Sequence, residues 1–318
     1  MGTLCALLLA ARSVPTSLWG RSPERVEALR SRRFNERFLP GHRLPEHVNV
    51  TSDAQAALGW ASMVIVAAPC QHIRGVLESV AAHVPPGAAL VSVAKGIEVS
   101  TLMRPTQVVR DVLGDVATVA LSGPTIAPEI AEGKPATVVA ASEDLALAEL
   151  TQRVFSTPTF RVYTNTDLVG VELAGAVKNV IAIAAGICDG IDAGDNCKAA
   201  LLTRGLVEIT RLGVALGAQA ETFRGLAGVG DLVTTCFSPI GRNRTAGERI
   251  GRGMRVDELL AATASVIEGI PTTQAVLELA RTIGVEMPIV RAVYAVLFEQ
   301  TSPAAAIEAL MTRQLKPE

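Results

Sequence analysis

Candidate chemistry starts with one amine. Lys178 lies in the run 170–186 (GVELAGAVKNVIAIAAG), where almost every other side chain is apolar or small. A helical period puts Val171, Ala174, Gly175, Ile181, Ala182 and Ala185 on its face, so a neighbour can pack closely there. A lysine in that setting is either a structural cation held by partners or a proton donor whose pKa burial has lowered. Thr166 reads as the cap of this helix and Gly186 as its end.

Other residues could serve such an amine. Lys95-Gly96 closes an apolar run at a place where a cation can hold phosphate or carboxylate. Ser122-Gly123-Pro124-Thr125 combines a close-approach glycine with a hydroxyl, though Gly-Pro is also an ordinary turn. Gly228-Val229-Gly230-Asp231 sets a carboxylate after a turn, with Thr234-Thr235 following; Asp231 reads equally as an N-cap. Gly241-Arg242-Asn243-Arg244 offers a phosphate fork. Arg21-Ser22 follows the first visible strand. An arginine there accommodates a dinucleotide's 2′-phosphate, or is simply a solvated turn residue. Lysines, an aspartate, an arginine and hydroxyls without metal ligands suit an anionic, phosphorylated substrate whose carbonyl a lysine polarises.

The elements that must position these residues follow from pattern. Apolar runs at 14–19, 48–51, 61–68, 89–93, 116–121 and 137–141 read as strands alternating with helices. Strands apolar throughout imply a parallel sheet covered on both faces, a doubly wound α/β domain. Strand signals fade after about residue 165 and helical periods take over. The expectation is a dinucleotide-binding domain over 1–164 and a helical substrate domain over 165–318, with the boundary near Thr164. Met1–Ser13 reads as an amphipathic helix in preference to a signal peptide, since it lacks a clear basic start.

Composition narrows the class. The chain has 318 residues, 49% hydrophobic, with 29 basic and 31 acidic residues well mixed. That balance, with 3% aromatics, argues against a nucleic-acid surface. Mean hydropathy is +0.36, yet no uninterrupted apolar run approaches the roughly 18 residues of a membrane helix. Five scattered cysteines without a CxxC fit reduced thiols in a cytoplasmic protein, not a zinc site or disulfide framework.

The motifs together resemble a family, the bacterial NAD(P)-dependent glycerol-3-phosphate dehydrogenases. The matching strings are LWGRSPE (18–24), FLPG (38–41), AKGIE (94–98), LSGPT (121–125), FRVYTNTDLVGVELAGAVKNVIAIAAGI (160–187), TRGLVEITRLGVALGA (203–218), GVGDLVTTC (228–236), RNR (242–244), VIEG (266–269) and GVEMPI (284–289), in the family's order over nearly the whole chain. The resemblance implies a Rossmann-like sheet domain followed by a helical domain. It implies reversible reduction of dihydroxyacetone phosphate to sn-glycerol 3-phosphate, for glycerophospholipid synthesis, with NADPH or NADH. Carried over, Lys178 is the general acid/base, with Asn179 and Asp231 positioning it and binding substrate oxygens. Lys95, Gly123, Thr125, Thr235, Gly241, Arg242 and Asn243 line the substrate site, the last two gripping its phosphate. Gly2, Arg21, Lys95, Ala127, Arg242, Val266 and Glu268 match cofactor positions, and Arg21 inclines the reading to NADPH. A homodimer without nucleic acid, metal or integral membrane segment is expected.

The chain departs from the family at its start. Gly2 matches the third glycine of Gly-x-Gly-x-x-Gly, and the preceding strand and two glycines are absent. Those glycines let backbone approach a pyrophosphate. The expectation is a true start upstream of Met1. The rivals are a genuinely short chain with impaired cofactor binding, an inactive dinucleotide-fold module, or a related hydroxy-acid dehydrogenase. Cys70 and Gly241 replace residues that are often serine in the family.

Overall fold

Short β-branched runs bounded by Gly, Pro and Asp become strands, and the computed structural model arranges them in one of two compact units. It describes residues 1–263 and 266–315. The first unit holds Met1–Ala94 and Pro105–Leu168, the second Lys95–Arg104 and Val169–Glu318. The sequence places a single boundary near Thr164; the contacts place it after Leu168 and give the segment 95–104 to the helical unit. Ile97 explains that assignment, because it is fully buried in the helical core. Arg104 adds to it by pairing with Glu172.

In the first unit, β1 (Ser17–Trp19) pairs in parallel with β4 (Asn49–Thr51). A small antiparallel pair, β2 (Phe34–Asn35) and β3 (Leu39–Arg43), lies between them in sequence. The main sheet has the order β5 (Met63–Val66), β6 (Ala89–Ser92), β7 (Thr118–Ser122), β8 (Ala136–Ala141), β9 (Phe160–Asn165). Every residue of β6 and β7 is buried, as expected of strands covered on both faces. Seven helices complete the unit: α1 (Gly2–Ala11), α2 (Pro23–Arg32), α3 (Ala54–Leu58), α4 (Ile73–Val80), α5 (Pro105–Leu113), α6 (Ala127–Ala131) and α7 (Leu145–Phe155).

Three expectations for this unit change. The sheet is not parallel throughout, for β8 runs antiparallel to β7. The link between them contains only the five-residue α6, too short to carry the chain back along β7, so it re-enters from the same end. The strands also form separate sheets: among the described residues β1 pairs only with β4, and β5 only with β6. Finally, α1 is a helix but not an amphipathic one. Leu4, Cys5, Leu8 and Leu9 belong to the same core cluster as residues of β6 and β7, while Ala6 and Ala10 join Val26 and Val50 in another, so most of its circumference is buried.

The second unit is helical: α8 (Leu168–Gly190), α9 (Gly194–Ala215), α10 (Asp231–Phe237), α11 (Arg242–Gly251), α12 (Val256–Ala262), α13 (Gly269–Thr282), α14 (Pro288–Phe298) and α15 (Pro303–Met311). Its core is built on α8, where Leu173, Val177, Val180, Ile181 and Ile183 are fully buried. Each contributes up to about 1.5–3 kcal/mol of burial. By length and composition α8 could span a membrane, but 94% of its most apolar window is buried inside the protein. It is the core helix of this unit.

Gly186 does not end α8, which runs on to Gly190. It serves a crossing instead. A Cβ on Gly186 would lie 1.9 Å from Arg244 O, and one on Gly190 2.4 Å from Glu248 O. From the other side, a Cβ on Gly247 would lie 2.0 Å from Ile183 O, and one on Gly251 2.6 Å from Ile187 O. Glycine on both helices lets α8 and α11 touch backbone to backbone, which fixes Arg242 and Asn243 against the lysine-bearing helix.

Candidate active site

Lys178 is buried on α8 with its side chain 6% exposed, and its ammonium has two acceptors. It donates to Asp231 Oδ1, and to Thr235 Oγ1 at 2.6 Å. Lys95 Nζ donates to the other Asp231 oxygen at 2.7 Å. One carboxylate therefore holds two ammonium groups, and the cluster keeps a net positive charge. Burial drives the Lys178 ammonium down from the ordinary lysine range to about 7; Asp231 pulls it upward, and Lys95 pushes it down. An amine poised there can give and take a proton near neutrality.

Local structure explains why Asp231 points inward. The segment Leu226–Gly230 forms a π-helical turn, closed by Gly230 N–H donating to Gly225 O at 3.2 Å. Gly228 makes the turn possible, since a Cβ there would lie 2.0 Å from Phe223 O. Asp231 is thus the first residue of α10 and only 1% exposed. Thr235 lies one turn later on the same face, beside it.

A chain of amides supports the lysines. Gly269 N–H donates to Asn243 Oδ1 at 2.9 Å, Asn243 Nδ2 to Asn179 Oδ1 at 2.9 Å, and Asn179 Nδ2 to Lys95 O at 3.3 Å. The first turns of α11 and α13 thereby fix the backbone that carries Lys95. Arg242 opens α11 and donates to Val266 O at 3.1 Å. Gly241 precedes it in extended conformation; a Cβ there would lie 3.1 Å from Thr235 O.

The comparisons with known proteins follow the same two parts of the chain. The family model described as NAD-dependent glycerol-3-phosphate dehydrogenase N-terminus matches residues 1–148, and its C-terminus counterpart matches residues 167–308. The chain belongs to this family. It is 48% identical to the glycerol-3-phosphate dehydrogenase [NAD(P)+] of Pelodictyon phaeoclathratiforme, over 100% of this chain and 96% of that one. The Thermobifida fusca protein of the same name is also 48% identical, over 100% and 95%. A crystal structure of glycerol-3-phosphate dehydrogenase from Coxiella burnetii superposes with TM-score 0.94 at 34% identity, covering 98% of this chain and 95% of the other.

The family's dehydrogenase fold brings Lys95, Lys178, Asn179, Asp231, Thr235 and Asn243 into one hydrogen-bonded cluster, with Gly241 and Arg242 at its edge. Val266 and Glu268 precede α13 in the same unit. The remaining expected residues are in the first unit. Gly123 follows β7 with φ +136, and a Cβ on it would lie 3.0 Å from Val138 Cα, so β8 requires glycine there. Thr125 follows, and Ala127 opens α6. Arg21 is exposed at the end of β1, and Gly2 opens α1 with Leu18 and Ala67 on either side. Among the described residues, no group of three or more His, Cys, Asp or Glu is placed to hold a metal ion.

Two positioning devices are not legible in the motifs above: the glycine crossing, and the amide chain through Gly269. A repeat of glycines four apart at 186/190 and 247/251 is the signal that could have revealed the first. No sequence pattern reveals the second.

Proposed function

We propose that this chain interconverts dihydroxyacetone phosphate and sn-glycerol 3-phosphate, with Lys178 as the proton-transferring group. The observation that carries the reading is a buried lysine, brought to about 7 by burial and bonded to Asp231 and Thr235, with a second ammonium on the same carboxylate. A nicotinamide dinucleotide, when bound, supplies or receives the hydride at the substrate's central carbon.

As charge develops on the ketone oxygen, Lys178 Nζ gives its proton to that oxygen and becomes a neutral amine. In the reverse direction the neutral amine takes the hydroxyl proton. Asp231 orients Lys178 and limits the cost of its burial. Lys95 adds positive charge for the developing alkoxide. Arg242, with the first turn of α11, suits the substrate's phosphate, because guanidinium and helix N–H groups both favour that anion. Holding the remote phosphate fixes the carbonyl for reaction. Asn179 and Asn243 keep these groups in register.

The first unit offers groups that fit a dinucleotide. The start of α1, which has no side-chain cap, lies beside Leu18 of β1 and Ala67 just after β5, and its first N–H groups suit a diphosphate. Arg21 suits an adenosine 2′-phosphate, and on that ground NADPH is the preferred cofactor. A homodimer in the cytoplasm completes the reading.

The test is direct. Purified protein should consume NADPH only when dihydroxyacetone phosphate is added, and Lys178→Ala should abolish this while keeping the wild-type circular dichroism. Turnover retained in Lys178→Ala removes the assigned role. No turnover by the wild type, in either direction, removes the reading.

A further inference from the structure

Two thiols face each other at the end of α8 away from the site lysine. Cys188 Sγ lies 3.8 Å from Cys197 Sγ, across the short link from α8 to α9. Both are free; Cys188 is buried and Cys197, in the first turn of α9, is half-buried. Their chain neighbours form an ion cluster. Asp189 accepts from Lys198 Nζ at 2.9 Å through both oxygens, and from Arg244 Nη2 at 2.7 Å. Arg244 belongs to the same first turn of α11 as Arg242 and Asn243. Lys198 also lies over the Phe237 ring at the end of α10, 4.8 Å from its centroid.

We propose that Cys188 and Cys197 form a thiol–disulfide exchange site for low-molecular-weight disulfides, and that closing the bond weakens the hold on the substrate phosphate. The steps balance. The Cys197 thiolate attacks a small disulfide RSSR, whose S–S bond breaks; one thiol RSH leaves with the released proton, and Cys197 carries the mixed disulfide. Cys188 then attacks the Cys197 sulfur, releasing a second RSH. Two protein thiols lose two electrons, and one small disulfide gains them.

The order follows from access. Cys197 is the reachable sulfur, whereas burial pushes the Cys188 thiol up to about 12. Cys188 therefore reacts second, where contact with its target replaces collision. Bonding draws the sulfurs together by roughly 1.8 Å, to the usual disulfide length. The end of α8 cannot follow, because Gly186 and Gly190 lock it to α11. The first turn of α9 moves instead, taking Lys198 with it, and the shared carboxylate of Asp189 passes the strain to Arg244. The effect on substrate rests on the dehydrogenase reading; the bond itself does not.

The experiment equilibrates purified protein in reduced and oxidised glutathione buffers, then identifies peptides by mass spectrometry without reduction. A Cys188–Cys197 cross-linked peptide is expected, reversed by dithiothreitol, while Cys5, Cys70 and Cys236, all buried, stay free. Cys188→Ser should stop at glutathione on Cys197. In the oxidised enzyme KM for dihydroxyacetone phosphate should rise about fivefold with kcat kept, the scale of one partly exposed ion pair. Cys197→Ser should show the same KM in both buffers. No cross-linked peptide in oxidised glutathione overturns the exchange site. A complete cross-link with unchanged KM overturns its coupling to the phosphate. An enzyme inactive in both buffers removes the dehydrogenase reading and leaves the peptide result to decide the exchange site.

Discussion

Replacing Asp231 with Asn tests the charge arrangement at its centre. The amide keeps the shape and one acceptor but removes the negative charge facing Lys178 and Lys95. Asp231 is the residue whose influence on Lys178 is upward, while burial and Lys95 both act downward. Two unit charges about 4 Å apart interact by about 4 kcal/mol at an effective dielectric of about 20. That corresponds to about three pKa units. Water beside Lys95, whose side chain is 16% exposed, screens part of it, so the expected fall is at least about one unit. In the wild type, ketone reduction needs the ammonium and slows as pH rises through about 7; alcohol oxidation needs the neutral amine and quickens over the same range. In Asp231→Asn both breaks should move to lower pH, and reduction at neutral pH should drop by at least about fivefold. The assay is kcat/KM in both directions across about pH 5 to 9, which reports the free enzyme, with circular dichroism to verify folding. A break that stays in place or moves upward refutes the reasoning, because Asp231 would not then set the charge of Lys178.

Three further outcomes are expected. Gly247→Ala should lower Tm sharply, by about 3 kcal/mol or more of stability, since its methyl would meet Ile183 O at 2.0 Å and force α8 from α11; an unchanged melt contradicts the crossing. Arg242→Ala should raise KM for dihydroxyacetone phosphate by about tenfold or more, with a smaller effect on kcat; a loss confined to kcat would detach Arg242 from the phosphate. Glu208 is buried and accepts from Ile289 N–H and Val290 N–H, and burial raises its carboxyl to about 7. The folded state therefore holds a proton that the unfolded state releases between about pH 4.5 and 7, and stability falls as pH rises through that window. Glu208→Gln should flatten that slope, by about 1–3 kcal/mol over the window; an unaltered dependence of Tm on pH rejects it.

Much of the site was legible because charge in an apolar setting is conspicuous. Lys178 stands out on its face of small residues, and Asp231 follows a glycine turn that only a close approach requires. The strands β6 and β7 were legible for the same reason, being apolar throughout. What the sequence hid depends on partners far along the chain. Gly186 reads locally as a helix stop, and only α11 shows that it is a contact. The direction of β8 depends on how far α6 travels, which periodicity does not record. The strand β9 lies outside the apolar runs because Phe160 and Val162 face inward and Arg161 and Tyr163 outward, the alternation of a half-buried strand. The segment 95–104 joins the helical unit through Ile97, Val99 and Leu102 and through the ion pairs of Lys95 and Arg104, partners that local pattern does not reveal.

The apolar character of α8 has a consequence before folding is complete. Mean hydropathy in its most apolar window is 1.7, within the range of bilayer-spanning segments. On a nascent or denatured chain, nothing yet covers that surface. Lys178 stands near its middle, and a lysine at the centre of a spanning helix opposes insertion by about 2.5–3.5 kcal/mol. The ammonium assigned to proton transfer in the finished enzyme thus also works against insertion of an unshielded chain, and a Lys178→Leu chain would be more prone to enter lipid.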